Sequence, residues 1–212
     1  MQPLELMYPE SFFRHRNSLL WRSEIFCKPV LDILKPKSVI DVGCAIGDFV
    51  KWFLDHDIDA WGIEGSTAAR KYSMIPERIS YMDMRKKYPR ISYPLFFDLA
   101  MSIEVAEHIE PEYARCYAEN MTVFSDTLLM TIAGPGQKGH SHVNLQPMNY
   151  WETLFAKHNY SRDIETEFQI KERLYEHRHN RWINAICNNL CIFRNDTTKH
   201  PGRHHHDGSE AA

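Results

Sequence analysis

Three side chains that commonly bind metal ions stand close together in residues 102–111, SIEVAEHIEP. Glu104, Glu107 and His108 occupy positions i, i+3 and i+4, so a single helical turn would place them on one face. The segment follows the apolar run LFFDLAM, which is typical of a buried strand. Carboxylate oxygens and imidazole nitrogens are ligands for divalent cations such as Mg²⁺ and Mn²⁺. The pattern therefore indicates either a metal site at the end of a strand or an ordinary solvated turn.

Two more histidines lie in a long polar loop, residues 133–147 (AGPGQKGHSHVNLQP). His140 and His142 would join the first three side chains if this loop crosses the same end of the sheet. Two carboxylates and two imidazoles suffice for an octahedral site that keeps positions for water or substrate. Asn144 and Gln146 of the same loop carry amides that suit sugar hydroxyls, although such amides equally stabilise loops.

A strand-like run ends in a glycine turn in the sequence VIDVGCAIGDF. Asp41, Gly43 and Gly47 lie where the strand gives way to a helix, and glycines there let the backbone approach a ligand. The dinucleotide fingerprint G-x-G-x-x-G is not matched, because Ala45 and Asp48 occupy its second and third glycine positions. Acidic side chains at this turn would repel a pyrophosphate but attract an amine or a sulfonium. The turn therefore points to S-adenosylmethionine.

Glu64 fits the same ligand. It follows Gly43 by 21 residues and ends the next predicted strand, where a carboxylate can accept both hydroxyls of a ribose. The alternative is that the glycines merely end a strand and that Glu64 is a solvated loop acid.

The elements that must position these residues alternate along the chain. Strands with helices between them at this spacing predict an α/β fold, with a doubly wound, Rossmann-like, mostly parallel sheet and helices on both faces. In such a sheet ligands bind at the carboxyl ends of the strands. The predicted strands cover residues 38–43, 59–65, 79–84, 95–103, 126–134 and 188–194. The predicted helices cover 17–35 (one or two helices, interrupted by Pro29), 48–56, 67–73, 112–124 and 148–160.

The composition is that of one ordinary globular domain. The chain has 212 residues, a formal charge of −3 and five cysteines without a CxxC pair, which disfavours general polyanion binding, structural zinc and a disulfide framework. It shows neither a signal peptide nor a membrane-spanning run, so we expect a soluble, cytoplasmic protein with no membrane partner. We expect an N-terminal helical cap or lid (1–37), the main domain (38–195) and a disordered polar tail (196–212); a homodimer is compatible with the sequence.

Four motifs in register resemble the class I S-adenosylmethionine-dependent methyltransferases: VIDVGCAIG, GIEGS, YMDM and FDLAMSIEVAEHI. The resemblance implies a seven-stranded sheet and S-adenosylmethionine as the cofactor. It further implies that Asp41, Gly43 and Gly47 surround the methionine part, Glu64 binds the ribose, and Asp83 and Met84 border the adenine. Cys44 and Gly65 complete this cofactor set. Ala45 departs from the commoner glycine.

The carboxylate and histidine residues are similar to those of the small-RNA 3′-terminal 2′-O-methyltransferases, which hold a divalent ion with Glu-x-x-Glu-His and a later histidine. The resemblance implies Glu104, Glu107, His108 and His142 as ligands of Mg²⁺ or Mn²⁺, with His140 as the weaker candidate for the fourth place. Such an ion would lower the pKa of two adjacent hydroxyls. Without it, His108 or His142 would act as the catalytic base.

The implied substrate is a vicinal diol of a sugar. The segment QPMNYWETLF resembles one found in small bacterial and viral methyltransferases often encoded among carbohydrate genes. Tyr150 and Trp182 offer faces to a sugar ring, whereas Trp151 fits the core of a helix. We therefore expect a sugar or glycan substrate. RNA is the alternative, with residues 171–181 as its best basic surface, and a catalytically silent binding module is the other.

Overall fold

The computed structural model describes residues 2–87, 96–139 and 141–197. His140, the weaker predicted ligand and substrate residue, lies outside the described residues. So do the first residue of the predicted strand 95–103 and nearly all of the predicted tail.

Among the described residues, seven strands form one sheet in the order β3-β2-β1-β4-β5-β7-β6. Strands β1 to β5 are mutually parallel, β7 runs antiparallel to β5, and β6 runs antiparallel to β7. The predicted doubly wound, mostly parallel sheet is therefore confirmed. The strands are β1 Ser38–Val42, β2 Asp59–Glu64, β3 Ile79–Tyr81, β4 Leu99–Ser102, β5 Thr127–Thr131, β6 Tyr160–Arg162 and β7 Leu190–Asn195.

Helices cover both faces of the sheet because successive strand residues point to opposite sides. Val39 and Met101 pack with α3, α4, α7 and α8, whereas Ile40 and Ala100 pack with α5 and α6. Two short helices, α1 and α2, precede this framework and lie over the carboxyl end of the sheet. The helices are α1 Leu4–Met7, α2 Glu10–Arg14, α3 Trp21–Leu34, α4 Asp48–Leu54, α5 Ala114–Phe124, α6 Met148–Ala156, α7 Ile164–Leu174 and α8 Arg181–Asn189.

Local details differ from the sequence-based expectations. Pro29 does not interrupt α3, since Phe26 and Val30 are fully buried on either side of it and hold the helix against the core. Residues 67–72 form a 3-10 helix, and β3 ends at Tyr81 rather than at 84. Residues 188 and 189 belong to α8, not to the last strand.

Strand order reverses between β1 and β4, which are neighbours although β2 and β3 lie between them in sequence. The loop after β1 turns one way and the loop after β4 turns the other, which opens a crevice at their carboxyl ends. The glycine turn and the 104–108 segment both begin there. No helix in the described part of the chain is long and apolar enough to cross a membrane.

Candidate active site

A cavity of about 620 Å³ opens at the carboxyl ends of β1, β2 and β4. Both predicted groups of residues contribute to its wall. Gly47 does not line it, and neither does the buried Glu107. The predicted residues that line it are Asp41, Gly43, Cys44, Glu64, Gly65, Asp83, Met84, Glu104, His108 and His142.

The glycine turn is shaped by left-handed backbone at three positions. Gly43 has φ +85°, and a Cβ there would lie 2.3 Å from Cγ2 of Val105, so only glycine fits against the 104–108 segment. Gly47 has φ +83° and precedes α4, which explains a role in the turn without contact to the cavity. Ala45 also has a left-handed backbone, at φ +52°, which costs a residue with a Cβ about 1 kcal/mol.

Glu64 ties the glycine turn to the end of β2. Its Oε2 accepts a hydrogen bond from the backbone N–H of Ala45 at 2.8 Å, and its Oε1 accepts one from Ser66 at 2.7 Å. Burial raises the pKa of Glu64, and these two N–H donors offset part of that rise. Each carboxylate oxygen has a second lone pair, so the side chain retains capacity to accept from a ligand in the cavity.

The far end of the predicted cofactor set is fixed by a buried arginine. Arg85 is 4% exposed and pairs with Asp83 at 2.9 Å and Glu110 at 2.9 Å, and its Nη2 donates to the carbonyl of Gln2 at 2.9 Å. Burial alone would raise the pKa of Asp83, but Arg85 outweighs it and lowers that pKa. The arginine thereby connects the loop after β3 to the N-terminal segment.

Glu107, His108 and His142 offer ligand atoms that all lie within 4.8 Å of one another. Two metal–ligand bonds of about 2.1 Å span roughly 4.2 Å when they are opposite, so small movements would close this group around an ion. The backbone N–H groups of Val143 and Asn144 donate to the carbonyl of Glu107 at 2.9 and 3.0 Å. These two bonds join the loop that carries His142 to the turn that carries the other two residues.

Glu104 is placed differently from the single helical face predicted from the sequence. Its backbone has φ +59°, and only Ala106–His108 form a 3-10 turn. The backbone N–H of Glu104 donates to Thr131 Oγ1 at 2.7 Å, and this hydroxyl donates back to Glu104 Oε1 at 3.0 Å. Glu104 therefore lines the cavity beside the three-residue group rather than within it.

Glu107 is the most unusual group in the site. It is 0% exposed, and neither carboxylate oxygen has a hydrogen-bond partner among the described residues. Burial, together with the charge of Glu104, raises the pKa of Glu107 to about 8, which nearby backbone N–H groups of Glu107 and Ala133 reduce only in part. Buried carboxyl groups normally have partners, and either a proton or a cation would relieve the charge of this one.

Both histidines are oriented by backbone carbonyls. His108 Nδ1 lies 3.1 Å from the carbonyl of Ser141, and His142 Nδ1 lies 3.3 Å from that of Gln137. A carbonyl only accepts, so a neutral ring in either place carries its proton on Nδ1 and its lone pair on Nε2, which is the form that binds metals. Gly139 leaves room for His142, because a Cβ at residue 139 would lie 2.1 Å from its Nε2.

Three of the predicted substrate residues do not line the cavity. Asn144 is buried with both amide atoms unpartnered among the described residues, and neither Gln146 nor Tyr150 lines the cavity. Trp151 is fully buried in the core, as its helical position predicted. Trp182 does line the cavity, and the guanidinium of Arg22 lies 4.6 Å over its ring.

Several residues that line the cavity were not predicted as site residues from the sequence. Tyr8 of the N-terminal segment packs its ring edge-to-face with His108 at 5.9 Å, and Arg16 and Arg22 also face the cavity. Gln137 and Asn189 lock together through two amide hydrogen bonds of 2.8 and 2.9 Å at the opposite rim. The sequence signals Arg16 and Arg22 only through the segment FFRHRNSLLWRS, in which three arginines stand among aromatic and aliphatic residues.

The sequence matches no protein-family model and no curated protein. Solved structures do match in fold. The small RNA methyltransferase HEN1 is 16% identical with a TM-score of 0.53, over 85% of this chain but only 25% of its own. The fold is that of class I methyltransferases. A SAM-dependent methyltransferase from Archaeoglobus fulgidus (15% identity, TM-score 0.55, 74% of each chain) and the mitomycin 7-O-methyltransferase MmcR (11%, 0.56, 77% of this chain and 56% of that) share it. At such identities the likeness shows the fold alone.

Proposed function

We propose that this protein is an S-adenosylmethionine-dependent, divalent-metal-assisted O-methyltransferase that acts on a vicinal diol of a sugar, in a glycan or a glycosylated metabolite. The observation that carries the proposal is the buried, unpartnered Glu107 behind His108 and His142. These two histidines line the same cavity as the glycine turn and Glu64. A methyl donor bound in the cofactor half of the cavity, which the glycine turn and Glu64 line, would lie beside the Glu107, His108 and His142 group, which can activate an acceptor hydroxyl.

The residues of the cofactor half fit S-adenosylmethionine in shape and charge. Gly43 lets the turn approach Val105 closely beside the cavity, and Glu64 supplies a rigid acceptor for ribose hydroxyls. Buried Asp41 and Asp48 disfavour a phosphate and favour a cationic group. When bound, S-adenosylmethionine would supply an electrophilic methyl group.

The ligand set fits a hard divalent cation. Glu107, His108 and His142 would hold Mg²⁺ or Mn²⁺, with the nearby Glu104 as a further carboxylate. Such an ion would lower the pKa of a sugar hydroxyl placed next to it. Without an ion, His108 or His142 would instead take up the hydroxyl proton at Nε2, which cannot serve as metal ligand and base at once.

RNA is the second candidate substrate, supported by the fold likeness to HEN1. The predicted basic surface, residues 171–181, supports it less well. Lys171 pairs with Glu167, and Arg178 donates to the side chains of Asn184 and Asn188, so part of its charge is engaged within the chain. A glycoside therefore remains the preferred substrate class.

A methyl-transfer panel tests the proposal. Chelator-treated protein receives methyl-labelled S-adenosylmethionine and either glycosides with vicinal diols, their deoxy analogues or short RNAs, with and without Mn²⁺. We expect labelling of the glycosides that depends on Mn²⁺ and no labelling of the deoxy analogues. The variant His142→Ala should lose this labelling, and the control His179→Ala, at an exposed histidine, should keep it. Labelling of RNA alone would overturn the substrate class, full activity without metal would overturn metal assistance, and absence of cofactor binding would point to a silent module.

A further inference from the structure

Two arginines of the N-terminal segment enter the cofactor half of the cavity. Arg16 and Arg22 both line it, and neither guanidinium forms an ion pair or donates a hydrogen bond to another described residue. The Nε atom of each is buried without a partner. Arg16 lies 5.6 Å from the ring of Phe12 and Arg22 lies 4.6 Å over that of Trp182, so aromatic contacts hold them in place without satisfying their N–H donors.

Two buried acids lie at the same end of the cavity. Asp41 is 3% exposed and Asp48 is 7% exposed, and both line the wall. The only hydrogen bond to either carboxylate from a described side chain is a long one, 3.5 Å, from Ser23 Oγ to Asp48. Burial and the charge of Asp48 raise the pKa of Asp41, and burial together with Arg16 lowers that of Arg22.

Two guanidinium groups and two carboxyl groups thus lie at one end of the cavity without forming ion pairs with each other. Adjacent guanidinium groups repel each other, and buried N–H donors without acceptors are costly. A group that satisfies both sets must carry a negative and a positive charge a few bonds apart. The α-amino acid head group has that arrangement, with a planar carboxylate that matches a guanidinium fork.

We propose that Arg16 and Arg22 bind the α-carboxylate of the cofactor's methionyl group while Asp41 and Asp48 bind its ammonium. The inference deepens the proposed function and rests on it, because it assigns the amino acid end of S-adenosylmethionine. It also gives the N-terminal segment a specific role: its arginines complete the cofactor site rather than only covering it.

Two ligands separate the amino acid end from the nucleoside end. S-adenosylhomocysteine carries the amino acid head, and 5′-methylthioadenosine lacks it but keeps the adenosine. Calorimetric titrations of both ligands compare wild type, Arg16→Gln, Arg22→Gln and the double variant. Arg14→Gln, at an exposed arginine two residues from Arg16, is the matched control.

A charge-assisted hydrogen bond is worth about 1.5–3 kcal/mol, so we expect each substitution to weaken S-adenosylhomocysteine binding about 10- to 100-fold. Binding of 5′-methylthioadenosine should stay within about twofold of wild type, which also shows that the variants are folded. Unchanged S-adenosylhomocysteine binding in the double variant, or equal losses for both ligands, would overturn this inference alone. Failure of wild type to bind either ligand would overturn the proposed function and this inference with it.

Discussion

Replacing Glu107 by Gln should stabilise the metal-free protein and remove part of its pH dependence. The substitution keeps the shape of the side chain and removes a buried, unpartnered carboxyl group. Because the pKa of Glu107 is raised in the folded state, the folded chain binds more protons than the unfolded chain at intermediate pH. The free energy of unfolding must therefore fall as the pH rises through that window.

The size of the effect follows from the two pKa values. The ordinary pKa is 4.5 and the folded pKa is about 8, so the decline begins near pH 4.5 and levels off above pH 8. Each pH unit within this window costs about 1.4 kcal/mol. By pH 7 the carboxyl group lowers the free energy of unfolding by about 3 kcal/mol, an upper value because a buried site relaxes around its charge.

Urea unfolding at several pH values, in the presence of EDTA, measures this directly. The other buried acids contribute the same sign of slope, so the quantity of interest is the difference between wild type and Glu107→Gln. We expect that difference to grow from near zero at pH 5 to a few kcal/mol at pH 8, and to be absent for Glu112→Gln, an exposed glutamate. A difference independent of pH would refute the view that Glu107 is a buried carboxyl lacking a partner.

Three other substitutions test separate parts of the site. Gly43→Ala adds a Cβ 2.3 Å from Val105 at φ +85° and should lower the free energy of unfolding by about 2–4 kcal/mol in chemical denaturation. The control Gly136→Ala, at φ +81° but in open space, should lower it by about 1 kcal/mol, and equal losses would contradict the close approach. Gly139→Ala should displace the His142 ring while leaving every proposed ligand in the chain, and should weaken Mn²⁺ binding about 10- to 100-fold in a calorimetric titration. Unchanged Mn²⁺ affinity would exclude His142 from the metal site. Arg85→Gln leaves Asp83 and Glu110 without their buried partner and should lower the free energy of unfolding by about 3–5 kcal/mol in urea. A loss below about 1 kcal/mol would contradict a structural role for these ion pairs.

The sequence predicted the fold correctly where a run of hydrophobic residues also forms part of the buried core. The runs SVIDV and TLLMT are apolar on both faces, so they predicted the central strands β1 and β5. The strand β6 was missed because its three residues, Tyr160–Arg162, are too few to show a period and form an edge. Pro29 predicted an interruption that tertiary packing overrides.

The candidate site was only partly accessible, for a related reason. The spacing of Glu104, Glu107 and His108 suggested one helical face, but a left-handed residue at Glu104 and hydrogen bonds to Thr131 turn its side chain along β5 instead. The approach of His142 depends on backbone bonds between distant segments, which no local pattern encodes. Arg16, in a short 3-10 turn, and Arg22, in α3, reach the cavity through the packing of residues 16–34 on the core, which no local pattern encodes.

The central claim is that the methyl donor and the Glu107, His108 and His142 group share one working site. Nuclear magnetic resonance of bound S-adenosylmethionine labelled with ¹³C in its methyl group tests it most directly, with paramagnetic Mn²⁺ compared with diamagnetic Mg²⁺. We predict that Mn²⁺ strongly broadens the bound methyl signal in wild type and that His142→Ala restores a sharp signal. A bound methyl signal that stays equally sharp with Mn²⁺ and Mg²⁺ would contradict the claim.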